Sequence, residues 1–377
     1  MRKILGRALI SCFIILSSLG AQADLLHERI LLTFIPNIQF APFYVGIADG
    51  HFARQGFEVT LEHLQEPDVL DLVAAGQADF GIVSGEQVIL ARAKSRDVVY
   101  VYEWFQDYPV GIVMVSDDGG ADLENLTDMT VGIPGRFGAS YSGLTTLLQS
   151  AGLREDDIEL KEIGFNAPDV FCLGAVDAAV VYVNNEPLQI RERLAAGDCG
   201  DVREITVVSV ASRVDLVSNG LIVSADLAGR DPDKVQGIAS GFDSALKATI
   251  NNPANAYLAS LNFVETLPGE PDFLMLLREL AAEQAAFLAT DPSREQIAES
   301  RSDMVELLVE SLGSDDLTQF EVLLRTIELW DADTLGHSDL SSWEAMSDTL
   351  RLMGLLSDAP PDLSASFSNQ FVTGIRE

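Results

Sequence analysis

Four short polar and aromatic clusters follow apolar runs of this chain, and they hold the residues that could do chemistry. They are Asn37 to Tyr44, Ser84 to Gln87, Gly135 to Tyr141 and Tyr182 to Pro187. In open α/β sheets, ligands bind outside the carboxyl ends of the strands, so clusters at these places are candidates for one site. Their amides, hydroxyls and carboxylate can pair with the edge of a ring, and their aromatic side chains can stack on its faces.

The most specific of the four signals is Asn184-Asn185-Glu186, which follows an apolar strand directly. A carboxylate there can accept two N–H bonds from an amino-heterocycle, and bonds to a charged acceptor are short and strong. A capping role for Glu186 before Pro187 is the alternative interpretation. Phe40 likewise has two interpretations, since it either stacks on a planar ligand or packs in the core.

Two further clusters carry polar groups with two interpretations each. The turn Gly135 to Gly138, followed by Ser140, is typical of a cradle for an anion or a carbonyl group at a helix N-terminus. Any tight strand–helix turn also favours glycine, so this signal alone does not decide. Asn37 and Gln39 can present amides to a ring edge, although Asn37 is equally a turn residue.

Motifs of catalysis are missing from the sequence. It contains no dinucleotide-binding glycine motif, no P-loop, no H-E-x-x-H and no G-x-S-x-G, and its four histidines share no motif. Cys172 and Cys199 lie too far apart along the chain for a zinc site with so few histidines. In an oxidising compartment they either form a disulfide or remain two separate core residues. We therefore expect no catalytic residue, no cofactor and no metal.

The N-terminus predicts export. Basic residues open the chain, an apolar run extends from Ala8 to Leu16, and Ala21-Gln22-Ala23 has the form that signal peptidases cleave. We expect residues 1–23 to be removed and the mature protein to reach the periplasm. A lipidated Cys12 is a weaker alternative, because most of the apolar run follows that cysteine rather than preceding it.

Charge excludes several classes of partner. The 377 residues include 58 acidic and only 24 basic side chains, which gives a net charge of −34. Such a surface repels phosphate backbones and anionic lipid headgroups. We therefore expect no nucleic-acid partner and no docking on anionic membranes.

Strands and helices alternate along the first 220 residues. Arg29 to Phe34, Phe57 to Leu61 and Phe80 to Val83 read as strands separated by helices, and a second such unit begins near residue 116. This order predicts parallel strands with right-handed crossovers, and two units of this size predict an α/β protein with two lobes. From Pro253 to about Leu356 the apolar pattern becomes helical.

Several motifs together resemble the NMT1/THI5-like family of periplasmic solute-binding proteins, which also includes sulfonate binders of the SsuA type. The resemblance lies in Phe34-Ile35-Pro36-Asn37, Ala75 to Gly81, Val131 to Leu144 and Val176 to Pro187, and it covers roughly residues 29–225. It implies a two-lobed periplasmic-binding-protein fold of type II, each lobe a mostly parallel sheet flanked by helices, with a helical C-terminal part. Such a receptor is a monomer that closes on a small molecule and delivers it to an ABC permease driven by its ATPase.

The family resemblance also implies a division of the chain. Lobe 1 would contain residues 24–115 and 219–356, lobe 2 would contain residues 116–218, and residues 357–377 would be a loosely ordered tail. The ligand-binding residues that it implies are Asn37, Gln39, Phe40, Ser84, Gly138, Ser140, Tyr141, Tyr182 and Glu186.

The identity of the ligand depends on a departure from the family pattern. Binders of the thiamine pyrimidine usually carry Asp-Trp before Thr-Pro-Asn, whereas this chain has Thr33-Phe34-Ile35 before Pro36-Asn37. Gln39 to Tyr44 is more similar to flavin-type members, which favours riboflavin, with the aminopyrimidine close behind. A sulfonate or nitrate would need cations, and Arg136 is the only one in the four clusters. Pyrimidine-synthesising members of the THI5 type carry a CCCFC stretch that this sequence lacks.

Overall fold

The computed structural model describes residues 25–116, 122–312, 317–357 and 362–372, so the predicted signal peptide lies outside the described residues. In chain order the strands are β1 (Leu26–Thr33), β2 (Phe57–Leu64), β3 (Phe80–Ser84), β4 (Val98–Glu103), β5 (Val110–Val115), β6 (Thr130–Ile133), β7 (Glu159–Glu162), β8 (Ala178–Tyr182), β9 (Ile205–Ser209) and β10 (Asn219–Ser224). The helices are α1 (Ala41–Ala48), α2 (His51–Arg54), α3 (Glu66–Ala74), α4 (Gly85–Ala93), α5 (Gly138–Ser150), α6 (Ala167–Cys172), α7 (Glu186–Ala196), α8 (Ala225–Arg230), α9 (Pro232–Asn251), α10 (Pro253–Ser260), α11 (Pro271–Leu288), α12 (Arg294–Leu312), α13 (Thr318–Trp330) and α14 (Leu340–Leu352).

The strands form two sheets of five, in the orders β2-β1-β3-β10-β4 and β7-β6-β8-β5-β9. We call the parts of the molecule built on them lobe 1 and lobe 2. In each sheet one strand, β10 or β5, runs antiparallel to both of its neighbours, and the other four share one direction. The predicted α/β fold with two mostly parallel sheets and a helical C-terminal part is therefore confirmed.

Local sequence explains where many helices begin. Pro42, Pro67, Pro168 and Pro187 each occupy the first turn of a helix, where the missing N–H of proline leaves no hydrogen bond unmade. At α9 the Asp231 side chain also accepts a bond from the backbone N–H of Lys234. The four proline-led helices follow strands or the turn after a strand, so their starts lie near the carboxyl ends of the sheets, which is where the cleft lies.

The first crossing between lobes lies earlier than predicted. We expected it near Val115-Ser116, but β5 pairs with β8 and β9, so residues 110–115 belong to the second sheet. The chain crosses between Glu103 and Val110, and it returns between Ser209 and Asn219. An apolar run such as β5 does not carry information on which sheet it joins, because that depends on strands far along the chain.

Residues 362–372 pack on lobe 1, which differs from the expected loose tail. The Tyr100 N–H donates to the carbonyl of Ser366 at 2.9 Å, and the Ser368 N–H donates to the carbonyl of Tyr100 at 2.8 Å. The Phe367 ring stacks on Trp343 with centroids 5.3 Å apart. This segment covers the free edge of β4, and an edge strand has unpaired backbone groups that favour such a partner.

Cys172 and Cys199 form a disulfide in lobe 2, which decides between the two interpretations of these cysteines. Both belong to a small apolar cluster with Phe171 and Ile190, apart from the two larger cores. In the described ranges, no helix is long and apolar enough to cross a membrane.

Candidate ligand-binding cleft

A cavity of about 870 Å³, counted out to its mouth, lies between the two lobes at the carboxyl ends of their strands. Lobe 1 contributes the end of β1, the start of α3, the segment after β4 and the start of β10. Lobe 2 contributes the segments after β6 and β7, the end of β8 and the start of α7. Its lining residues are Thr33, Phe34, Gln39, Phe40, Glu66, Trp104, Phe105, Pro134, Phe137, Ala139, Ser140, Gly164, Phe165, Ala167, Val180, Val181, Tyr182, Glu186 and Asn219. We call this space the inner chamber.

Seven aromatic rings line the inner chamber. Trp104 packs against Phe40 and Phe105, with ring centroids 5.6 and 4.8 Å away. From opposite lobes, Phe34 and Phe165 meet edge to face at 4.7 Å. The Trp104 Nε1 is buried and has no hydrogen-bond partner among the described residues, although buried donors usually have one. Such a wall suits a flat, weakly polar ring system.

Phe34 adopts an unusual backbone conformation at the cleft. Its φ angle is +64°, in the left-handed region that bulky residues rarely occupy. Such a conformation costs about 1–3 kcal/mol and persists where the surrounding structure enforces it, often at ligand sites. Here it places the ring of Phe34 against Phe165 of the opposite lobe.

The lobes also meet through buried amides and a phenol. Asn184, after β8, donates from Nδ2 to Gln39 Oε1 at 3.0 Å and to Thr326 Oγ1 at 2.7 Å. The Tyr182 hydroxyl donates to Asn219 Oδ1 at 3.2 Å. Asn184 thus joins the lobes to each other, which is a role that the sequence did not indicate.

Five of the nine predicted binding residues line the inner chamber. They are Gln39, Phe40, Ser140, Tyr182 and Glu186. Their role in binding remains a proposal, but the structure brings them together from both lobes. Gln39 and Phe40 come from a turn that begins with Asn37, whose side chain accepts the N–H of Gln39 at 2.8 Å.

The other four predicted residues do not line the inner chamber. Asn37 lies at the mouth of the cleft, in a neighbouring space. Ser84 and Gly138 lie behind Glu66, whose side chain separates them from the chamber. Tyr141 points elsewhere, because one residue along a helix rotates a side chain by about 100° from Ser140. Its hydroxyl donates to Glu155 Oε2 at 2.7 Å.

Glu66, at the start of α3, is the main residue that the sequence did not indicate. It is buried and accepts the backbone N–H of Ser84 at 2.6 Å. An ideal Cβ on Gly138 of lobe 2 would stand 1.8 Å from Glu66 Oε2, so only glycine permits this approach. The sequence analysis also did not identify three further lining residues, Trp104, Phe105 and Asn219. It did not recognise β4 and β10, the strands beside them.

A buried pair of carboxyls shares one hydroxyl. Ser84 Oγ contacts both Glu66 Oε1 and Glu86 Oε1, and Glu86 is itself almost fully buried. A serine has one hydroxyl proton and can donate it to only one of them. The second contact therefore needs a proton on a carboxyl. Burial raises the pKa of both groups, and for Glu86 the charge of Glu66 raises it further.

The electrostatics of the inner chamber disfavour an anionic ligand. Glu66 and Glu186 line it, and its lining residues include no Lys, Arg or His. Glu66 also lies against Gly138, the first residue of α5, where a helix N-terminus would otherwise attract an anion. Arg136, the cation considered for a sulfonate, is exposed and paired with Glu155 and Glu162 at 3.1 and 2.8 Å.

Glu186, for which the sequence left a choice between ligand binding and capping, lines the chamber and is also held by a local hydrogen bond. Its Oε2 accepts the backbone N–H of Tyr182 at 2.8 Å, a local structural bond, while the side chain lines the chamber. Burial raises the pKa of this carboxyl to about 7. Near neutral pH this carboxyl is therefore partly protonated, and a neighbouring ligand group can shift it towards either the protonated or the ionised form.

A buried carboxyl, that of Glu103 where the chain leaves lobe 1, leads us to expect an unusual pH dependence of stability. Its carboxylate accepts the Ser338 hydroxyl at 2.6 Å, and burial raises its pKa to about 8. Because the folded-state pKa is raised, the protonated carboxyl contributes its full stabilisation of the folded state below the ordinary pKa of 4.5. That contribution is lost as the pH rises through 8. We expect the free energy of unfolding of the ligand-free protein to fall between pH 5 and 8, by up to about 1.4 kcal/mol per pH unit for this proton.

Calorimetry at constant ionic strength measures this slope. Glu103→Gln should flatten it, although Glu66, Glu86 and Glu186 would keep part of it because burial also raises their pKa values. A melting temperature that rises from pH 5 to pH 8, or an identical slope in the variant, would contradict the expectation.

Two α/β lobes, joined by two crossings and enclosing a cavity, define the fold class of the periplasmic binding proteins. The solved structure of the alkanesulfonate-binding protein SsuA from Xanthomonas axonopodis pv. citri, bound to MOPS, shares this fold with a TM-score of 0.62. The match covers 92% of this chain and 99% of that one at 14% identity.

The chain belongs to the NMT1/THI5-like family, whose model matches residues 37–256. The riboflavin-binding protein RibY of Chloroflexus aurantiacus is 31% identical over 94% of this chain and 88% of its own length. A formylaminopyrimidine-binding protein of Halalkalibacterium halodurans is 28% identical over 42% of this chain and 48% of its own. A 4-amino-5-hydroxymethyl-2-methylpyrimidine phosphate synthase of Aspergillus parasiticus is 23% identical over 60% of this chain and 68% of its own length. The predicted family is thereby confirmed.

Proposed function

We propose that this protein is the exported receptor of an ABC importer, which captures riboflavin between its lobes and delivers it to the permease. The observation that carries the proposal is the inner chamber itself. It combines seven aromatic rings with two carboxylates and has no Lys, Arg or His among its lining residues. The similarity to the riboflavin-binding protein, which extends over nearly the whole chain, supports the same ligand.

The residues of the chamber have defined roles in this proposal. The aromatic side chains stack on the fused rings, where each contact is worth about 0.5–1.5 kcal/mol beyond its buried area. Glu66 or Glu186 accepts the ring N–H, and the unpartnered Nε1 of Trp104 donates to a ring carbonyl. The two crossings act as hinges, since a ligand enclosed by both lobes enters only when they separate. The disulfide fits the oxidising periplasm to which residues 1–23 would direct the chain.

An aminopyrimidine is the second candidate. The similarity to the formylaminopyrimidine-binding protein favours it, and so do two carboxylates that can accept amino protons. A synthase activity is a weaker alternative, since a relative carries that name but the CCCFC stretch is absent from this sequence. A sulfonate or nitrate is disfavoured by the charges of the chamber.

Titration of the purified mature protein tests the ligand. We expect riboflavin fluorescence to be quenched with micromolar or lower Kd, because the aromatic rings that line the chamber from both lobes can stack on the flavin. Formylaminopyrimidine, taurine and nitrate are compared by calorimetry. If the protein binds formylaminopyrimidine more tightly than riboflavin, the pyrimidine is its ligand. If it binds only taurine or nitrate, both the riboflavin and the pyrimidine assignments are wrong.

A further inference from the structure

A second space adjoins the inner chamber at the mouth of the cleft, and we call it the outer chamber. It encloses about 740 Å³, counted out to its mouth. Phe34, Phe165 and Glu186 line both chambers, so the edge-to-face ring pair and one carboxylate stand where the two spaces meet.

The outer chamber differs in chemistry from the inner one. Half of its twelve lining residues carry an amide, a hydroxyl or a carboxylate and two are aromatic, whereas seven of the nineteen residues of the inner wall are aromatic. Gln189 on α7 and Gln319 on α13 line it from opposite sides of the cleft. Like the inner chamber, it has no Lys, Arg or His among its lining residues.

We propose that the outer chamber is a polyol subsite, which binds a hydroxylated chain attached to the ring held in the inner chamber. Amides offer both donors and acceptors, and hydroxyl groups need both, so the two sets match. Glu186 at the junction accepts from the first hydroxyls of the chain. A terminal phosphate is rejected, since it would meet a carboxylate and no cation.

This inference rests on the proposed function, because it assumes a ring in the inner chamber. It goes further by requiring a chain on that ring. A bare aminopyrimidine would leave the outer chamber without a ligand group, whereas the ribityl chain of riboflavin supplies one hydroxyl after another.

Three flavins that differ only in the chain test the inference. Lumiflavin has the same fused rings with a methyl group in place of the chain, riboflavin has the chain, and FMN adds a phosphate to its end. Fluorescence titration of the unmodified protein should give a riboflavin affinity about 10- to 100-fold higher than that of lumiflavin. FMN should bind at least about 10-fold more weakly than riboflavin, as expected for a charge without a partner.

Variants separate the two chambers. The double variant Gln189→Ala/Gln319→Ala should lower riboflavin affinity about 10-fold and leave lumiflavin affinity unchanged. Both positions are helical and half-buried, so alanine keeps the backbone conformation. Phe137→Ala, which changes only the inner wall, should weaken both flavins equally and serves as the matched control.

The outcomes distinguish this inference from the function on which it rests. Equal affinity for riboflavin and lumiflavin, or a double variant that changes the affinity for neither of them, would overturn the polyol subsite while the ring site stands. FMN binding as tightly as riboflavin would overturn the rejection of phosphate. Absence of binding by all three flavins would overturn the riboflavin assignment and the subsite together.

Discussion

Gly138→Ala should weaken riboflavin binding by about 10- to 100-fold. The new Cβ would stand 1.8 Å from Glu66 Oε2, so the carboxylate of lobe 1 and the first residue of α5 could no longer approach as they do. Glu66 cannot move without cost, because it accepts the Ser84 N–H at 2.6 Å. A hydrogen bond to a charged group is worth roughly 1.5–3 kcal/mol, and each 1.4 kcal/mol is a factor of ten in affinity.

A matched control separates this clash from backbone strain. Gly152 also has a positive φ in lobe 2, +73° against +64° at Gly138, but nothing lies within 4 Å of its Cβ position. Gly152→Ala should lower the melting temperature through backbone strain alone, since alanine in the left-handed region costs roughly 1–2 kcal/mol, and Gly138→Ala should lower it at least as much. Only Gly138→Ala should weaken binding.

A double-mutant cycle with Glu66→Ala completes the test. In that background the clash is absent, so adding Gly138→Ala should cost little further affinity. If Gly138→Ala binds riboflavin as the unmodified protein does, the lobes do not close through this contact.

Trp104→Ala should reduce riboflavin affinity by more than about 100-fold and lower the free energy of unfolding by about 3–5 kcal/mol. The side chain is buried against Phe43, Phe242 and Trp330 while it also lines the inner chamber. Its removal takes away a stacking surface, leaves a cavity and deletes the indole N–H that we propose as a donor to the ligand. Calorimetry and fluorescence titration measure the two effects separately.

Trp343→Ala is the matched control for lost packing. Trp343 is equally buried, packs on Tyr100 and Phe367, and does not line the chamber. It should cost comparable stability and leave affinity within a few-fold. Equal loss of affinity in both variants would show that Trp104 acts through stability alone.

A conservative variant tests the indole N–H and avoids the risk of misfolding. Trp104→Phe keeps an aromatic ring in the wall and removes only the donor and some volume. We expect about a tenfold loss of riboflavin affinity, the effect of one hydrogen bond left unmade. Unchanged affinity would mean that no ligand carbonyl accepts from Nε1.

The sequence by itself determined the local elements and the ends of the strands that face the cleft. Phe80 to Val83 was predicted as a strand and lies in β3, and Ala178 to Tyr182 is the strand before the Asn-Asn-Glu cluster. Alternation of apolar runs with glycine and proline fixes such elements, since each depends on neighbours within a few residues. The same local signals brought Phe40, Ser140 and Glu186 into the predicted site.

Only the tertiary structure decided which side chains share the chamber. Glu66, Trp104 and Phe165 belong to segments far apart along the chain, and none has a neighbour in sequence that indicates a ligand. The reversed strands β5 and β10 join their sheets through pairing with distant strands, so the crossings follow from the sheet order rather than from local pattern. That Glu66 lies at the chamber, close against Gly138 of lobe 2, is set by packing between the lobes, which no periodicity encodes.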